Sequence, residues 1–213
     1  PYAGKGTGEV SLLRRLWGVL AEGDVLLTDC KLGSWIDIVT LQQRWIDFVS
    51  RMNRAQRCAD FRLGQRLGKD DHVVRWPKPN SIRWIDWPTY RTLPDWLTVR
   101  ESRIRITTPG FRTKEIIVVT TLLDPKRYPK EDLAELYRAR WNQELDLRSI
   151  KTTMQMDVLR CKTPELVRKE AWTHLLAYNL IRTVMAQAAV KHGGPPRTLS
   201  FKGAMQTLEA FRP

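Results

Sequence analysis

The stretch from Pro129 to Met154, PKEDLAELYRARWNQELDLRSIKTTM, constrains this chain more than any other. Its spacing predicts one long amphipathic helix. At about 100° per residue, with Tyr137 as zero, Arg140 falls near roughly 300°, Glu144 near 340° and Lys151 near 320°. These four residues share an arc of roughly 60°. Leu136, Ala139, Leu147, Ile150 and Met154 gather between roughly 200° and 280°, an apolar stripe expected to anchor the helix. One carboxylate, two cations and a phenol therefore run along one edge. That set suits a site holding a divalent metal beside phosphates. The plainer reading is a solvated salt-bridge face.

The chain before this stretch narrows the choice. Thr7 is a candidate N-cap for a helix over about residues 8–21, with Leu12, Leu13, Leu16 and Leu20 at helical spacing. Glu22-Gly23-Asp24 turns the chain, and VLLTD, Val25 to Asp29, reads as a short buried strand ending in an acid. Ser34 can cap a second helix, Trp35 to Arg44, before a second strand over residues 47–52. This α-β-α-β alternation predicts an α/β sheet. Asp29 then sits at the carboxyl end of a strand, where open α/β sheets place their ligands; the alternative is a capping or turn aspartate. The opening PYAGKGTGE lacks the spacing of a phosphate loop.

From Asn53 to about Asp95 the chain is rich in Arg, Trp, Pro and Gly, which fits short strands and turns, with HVVRW (72–76) as one strand. Leu97 to Thr107 alternates apolar residues with Arg100, Arg103 and Arg105. Pro109-Gly110 is the expected turn into a return strand, FRTKEIIVVTTLL. An arginine-bearing strand face with tryptophans nearby could track a DNA backbone and stack on bases, or be an ordinary solvated face. Past the central stretch, Thr163 and Pro164 start a helix running to about His192, expected to be largely buried. Gly193-Gly194-Pro195-Pro196 is a break, and a last helix spans 201–211. His174 and His192 lack ligand-spaced partners and read as structural or surface residues.

Composition bears on partners. The formal charge is +13 over 213 residues, spread along the chain, which favours a polyanion, most simply nucleic acid. No stretch is long and apolar enough to span a bilayer. Three scattered cysteines without a C-x-x-C pair fit a reducing compartment and argue against a zinc site or a disulfide frame.

The spacing Y-x2-R-x3-E-x6-K at Tyr137, Arg140, Glu144 and Lys151, with Asp29 at a strand end and a β-rich segment between, resembles one family. It is similar to the DDE transposases of bacterial insertion sequences, the IS-Four or Tn-five-like class. The resemblance covers essentially the whole chain. It implies a ribonuclease-H-like α/β core interrupted by a β-rich insertion and followed by a helical carboxyl terminus. The implied boundaries are 1–52 and 111–160 for the core, 53–110 for the insertion and 161–213 for the helical region. Asp29 matches the second catalytic aspartate and Glu144 the catalytic glutamate, both as metal ligands; Tyr137, Arg140 and Lys151 match DNA-contacting positions. Cys30-Lys31-Leu32 departs from the family, which usually places an arginine and an aromatic after the second aspartate.

The implied chemistry is metal-dependent cleavage of DNA ends and strand transfer. Two Mg2+ ions about 3.5–4 Å apart activate the attacking hydroxyl and stabilise the leaving oxygen, with Mn2+ able to substitute. The implied partners are double-stranded DNA, as transposon ends and target, and a second copy in a synaptic homodimer. The implied location is the bacterial cytoplasm, at the nucleoid, with no membrane association. Arg140 and Lys151 would hold phosphates, Tyr137 would contact the backbone near the scissile bond, and Trp76, Trp84 or Trp87 could stack on a displaced base. The family's first aspartate has no counterpart: Asp24, in a turn, is the lone aspartate before Asp29. The chain is therefore expected to be the carboxyl-terminal part of such an enzyme. Its rivals are a catalytically inactive DNA-binding or dimerisation fragment, able to inhibit a complete copy, and a nuclease that hydrolyses without joining strands.

Overall fold

The computed structural model describes residues 8–55, 57–82, 84–105 and 115–211. It divides into two compact units, one ending at Arg140 and the other starting at Trp141. In the first unit, α1 (Glu9–Leu16) leads into a 3-10 turn (Trp17–Val19). Then follow β1 (Val25–Thr28), α2 (Trp35–Gln42), β2 (Asp47–Arg51), β3 (Gln65–Gly68) and β4 (Asp71–Pro77). A short helix α3 (Trp87–Thr92), β5 (Trp96–Arg105), β6 (Glu115–Thr120) and α4 (Lys130–Ala139) complete it. The expected cap at Thr7, the hairpin turn at Pro109-Gly110 and Ile106 lie outside the described residues, and Gly8 occupies the N-cap position of α1.

The strands form one six-stranded sheet, ordered β1-β2-β6-β5-β4-β3. β1 and β2 are parallel, with Leu27 opposite Val49; the remaining pairs are antiparallel. The mixed α/β sheet expected from the sequence is therefore present. The apolar run of β1 was expected to be a buried strand. It is instead an edge strand whose first residue, Val25, is exposed and whose burial rises only toward Thr28.

Both faces of the sheet are covered, and the period-two alternation of strand side chains assigns residues to each. Phe48, Leu97, Val99, Ile117 and Val119 pack with Trp35, Ile38 and Leu41 of α2. Val49, Ile104, Ile116 and Val118 pack with Leu133, Ala134 and Tyr137 of α4. Ser34 caps α2 as expected, its hydroxyl accepting from the Asp37 amide.

Double coverage overturns the expected arginine face of β5. Arg100 points into the α4 layer and is only 1% exposed. Its Nε and Nη2 donate to the two carboxylate oxygens of Asp71 at 2.8 and 2.6 Å, and its Nη1 to the Tyr128 carbonyl at 2.6 Å. Arg103 is half-buried and Arg105 is exposed. A charged residue on an alternating strand reads as solvent-facing, yet here its partner lies 29 positions away in the adjacent strand.

The long helix expected over residues 129–154 is segmented. α4 ends at Ala139, Arg140 keeps right-handed dihedrals, and the second unit continues with α5 (Trp141–Arg148) and a π-helical segment (Ser149–Thr153). The Ser149 hydroxyl bonds back to the Leu145 carbonyl at 2.9 Å, which competes with the helical ladder. The Met154 amide then reaches five residues back, to Ser149, at 3.0 Å. The anchoring stripe differs too. Leu136 and Leu147 are exposed, whereas Leu133, Ala134 and Tyr137 form the buried face of α4. Tyr137, placed with the polar edge by the wheel, is a core residue.

The second unit also holds α6 (Pro164–Lys191), a 3-10 turn (Pro196–Thr198) and α7 (Phe201–Ala210). Thr163 caps α6 through its hydroxyl, with Pro164 at the first position, as expected. The expectation that this helix is largely buried fails: Met185 and Ala189 are its buried residues among those described, while Trp172, Leu176, Leu180 and Val184 are exposed. Apolar spacing marks a face that could be covered, and the described residues leave this one exposed.

Candidate active site

β1 delivers Asp29. Its last residue, Thr28, pairs with Ser50 of β2, so Asp29 leaves the sheet at the carboxyl edge of the parallel pair. Asp29 Oδ1 accepts the Lys31 amide at 2.6 Å and thereby fixes the carboxylate in a tight turn. Asp29 thus takes the turn role while standing just beyond the carboxyl end of β1. The loop then passes so close to the core that a Cβ on Gly33 would lie 2.4 Å from the Phe48 ring. Glycine is required there by close approach, and it sets the path of the loop bearing Asp29.

β2 delivers Arg51 at the same edge, because its strand runs parallel to β1. Arg51 Nη2 donates to Cys30 Sγ at 3.3 Å. That bond pushes the Arg51 pKa up against the opposing effect of burial, and Tyr137 and Asp29 add to the rise. Cys30, Arg51 and Arg54 also line a cavity of 300 Å3 beside this edge. Arg51 was absent from the set read from the sequence. Its place follows from the parallel pairing of β1 and β2, which sets the end of β2 beside the end of β1.

α4 delivers Tyr137 and Arg140. Burial raises the Tyr137 pKa, while Arg140 and Arg51 pull it down. The Arg140 guanidinium carbon lies 5.4 Å from the Tyr137 ring centre. Asp29, Cys30, Arg51, Tyr137 and Arg140 therefore share one electrostatic neighbourhood in the first unit. One carboxylate with two guanidinium groups and a phenol can orient a phosphodiester and balance its charge.

Glu144 and Lys151 belong to the second unit. Glu144 lies half-buried in the first turn of α5, where a carboxylate is favoured by the helix dipole. Two residues on, Asp146 fastens α5. It accepts from Arg182 of α6 at 2.5 Å and from both terminal nitrogens of Arg197 at 3.2 and 3.1 Å. Lys151 is exposed within the π-helical segment, a distortion frequent at functional sites.

Among the described residues, no group of three or more His, Cys, Asp or Glu side chains is placed to hold a metal ion. Asp29 and Glu144 are hard oxygen donors. Each is the type of ligand that a divalent metal ion takes beside water and phosphate oxygens. The three cysteines are free thiols, and no helix among the described residues is long and apolar enough to cross a membrane.

Of the three candidate stacking tryptophans, Trp76 is corrected. It is buried, its Nε1 donates to Glu101 at 2.7 Å, and the Arg57 guanidinium covers its ring at 4.3 Å. Trp84 already carries the Arg14 guanidinium at 3.9 Å. Trp87 stacks on Tyr90, centroids 5.4 Å apart, and is 66% exposed.

Residues 7–180 match the family model described as the transposase DDE domain. The chain is 37% identical over 146 residues to the transposase InsG for insertion sequence element IS4 of Escherichia coli (strain K12), covering 67% of this chain and 31% of that protein. It is 35% identical over 69 residues to the transposase for insertion sequence element IS421 of Escherichia coli, covering 32% of this chain and 19% of that protein. The chain spans less than a third of the length of these curated relatives. The resemblance carried by Tyr137, Arg140, Glu144 and Lys151 is thus borne out across most of the chain, which belongs to the transposase DDE domain family.

Proposed function

We propose that this chain is part of a transposase that cuts double-stranded DNA at the ends of an insertion sequence and joins the freed 3′ ends to a target. The observation that carries the reading is Asp29 at the carboxyl edge of the parallel β1–β2 pair, gathered with Arg51, Tyr137 and Arg140 on a chain of the DDE family. The parallel pair suits a ribonuclease-H-like core over residues 1–52 and 111–160, with 53–110 as its β-rich insertion and 161–213 as a helical region. The first aspartate of the triad would come from sequence outside this chain.

In this reading Asp29 and Glu144 hold Mg2+, with Mn2+ able to substitute; when bound, the metal acidifies the attacking hydroxyl and stabilises the departing oxygen. The chain's own residues do the positioning. Arg140 grips a phosphate bidentately and Lys151 as a point charge. Arg51, held by Cys30, adds fixed positive charge beside Asp29. Buried Tyr137 keeps its phenol protonated and presents it to the backbone near the scissile bond. A homodimeric synaptic complex at the nucleoid of a bacterial cytoplasm completes the proposal.

The test is cleavage of the element's terminal repeats by a longer protein that contains this chain, with and without Mg2+. Cleavage should require the metal and vanish in Glu144→Gln; undiminished cleavage by that variant removes Glu144 from the site. A second reading, a DNA-binding fragment without catalysis, is favoured by one observation: no three-ligand acidic group exists among the described residues. Salt-sensitive DNA binding without nicking by the 213-residue chain supports it for the chain alone.

A further inference from the structure

A basic groove lies in the first unit between the β3–β4 turn, β5 and α4. It encloses 650 Å3 and is lined by Lys69, Arg103, Arg105, Lys130 and Arg138, with Asp70 and Glu131 among its acids. Its floor is the buried Arg100–Asp71 bridge, already neutral and sealed further by the Ser102 hydroxyl donating to Asp71 at 2.5 Å. The charge that remains open to a ligand is therefore positive.

Arg105 Nε pairs with Glu115 at 3.3 Å on the exposed rim, while Lys130 and Arg138 keep their charge. Asp70, in a left-handed conformation (φ 54°), directs its carbonyl to the Arg103 amide at 2.9 Å and to Lys130 Nζ at 3.3 Å. The Lys69 carbonyl accepts from the same ammonium at 2.8 Å. The turn is thus pinned to β5 and to α4 at once. Arg138 Nε donates to the Ala134 carbonyl at 3.1 Å. Lys130 and Arg138 are held by neutral main-chain oxygens, which orient them without cancelling their charge. The carboxylate of Asp70 stands 3.8 Å from Arg103, a loose and partly solvated pair.

We propose that this groove is a second contact surface of the chain, one that binds the phosphate backbone of duplex DNA. The inference rests on the DNA reading given above and adds a partner contact that the signature residues do not contain. Its basic side chains come from a turn, a strand and a helix, a spread that suits a passing polymer rather than a single small anion. The chain's net charge of +13 favours the same partner. Backbone binding of this kind carries no base readout and is strongly salt-dependent.

The experiment titrates the 213-residue chain with a labelled duplex of random sequence across about 50 to 200 mM salt. The test variant is Lys69→Gln/Arg105→Gln/Arg138→Gln, three exposed residues that leave Lys130 and the Arg100–Asp71 bridge intact. A charge-matched control is Lys162→Gln/Lys191→Gln/Lys202→Gln. The test variant should bind roughly tenfold or more weakly, and its log–log salt slope should fall by about 2 to 3. The charge-keeping swap Lys69→Arg/Arg105→Lys/Arg138→Lys should bind like the wild type, which shows the loss to be one of charge rather than fold. Equal losses in test and control variants, or a test variant unchanged on duplex DNA while RNA binding falls, overturn the groove assignment and leave the DNA reading standing. A wild-type chain with no salt-sensitive duplex binding overturns the DNA reading itself.

Discussion

Arg51 donates from Nη2 to the Cys30 sulfur across 3.3 Å, which fastens the last residue of β2 to the residue that follows Asp29. Charge and carboxylate are thereby set side by side at one sheet edge. A charged hydrogen bond to phosphate contributes about 1.5–3 kcal/mol. Arg51→Ala is accordingly expected to slow end cleavage by the longer protein roughly 10- to 100-fold, with its Mg2+ concentration dependence unchanged. Cys30→Ser keeps an acceptor for Arg51 and should stay near the wild-type rate. Single-turnover cleavage assays separate the two.

The Arg100–Asp71 bridge holds the centre of the sheet under α4. Burial alone would raise the Asp71 pKa, but the hydrogen bonds from Arg100 and Ser102 outweigh it and hold the carboxyl below its ordinary value. A depressed folded value means the stabilisation is present above about pH 4, the unfolded value, and is lost as pH falls toward the folded one. Asp71→Asn should cost about 3–5 kcal/mol at pH 7, because Arg100 is left buried without its counter-charge. It should also flatten the decline of stability below pH 4. Denaturant titrations followed by tryptophan fluorescence at several pH values measure both effects.

Gly33 sets the path of the Asp29 loop over Phe48, which is fully buried. Gly33→Ala must displace a packed ring, at a cost of about 1–3 kcal/mol. The denaturation midpoint should fall while the m-value is retained. Cleavage should fall further than stability alone explains, because the loop carrying Asp29 moves with the clash.

The elements that bear the site were legible where local chemistry decides structure. VLLTD announces a strand that ends in an acid, Ser34 and Thr163 announce helix starts, and the Tyr137–Lys151 spacing announces the family. What local pattern could not show was set by distant partners. Arg100 looks solvated until Asp71 and the cover of α4 are known. Trp76 looks like a stacking surface until Glu101 and Arg57 claim it. The helix wheel assumed one unbroken helix and chose Leu136 and Leu147 as the anchor. α4 instead buries Leu133, Ala134 and Tyr137, which meet Val49, Ile116 and Val118 across the sheet. Arg51 was missed because its role depends on the parallel pairing of two strands, and single-strand patterns carry no record of their neighbours.

The central proposal is that Asp29 and Glu144 act as one catalytic pair. Its most direct test is a double-mutant cycle on single-turnover, Mg2+-dependent cleavage by the longer protein, with DNA binding measured in parallel. Asp29→Asn and Glu144→Gln should each lower the rate by roughly 10^3-fold or more while DNA stays bound, and the double variant should fall no further, because residues that act as a unit are non-additive. Additive losses, or a single variant that cleaves at the wild-type rate, would contradict the pairing.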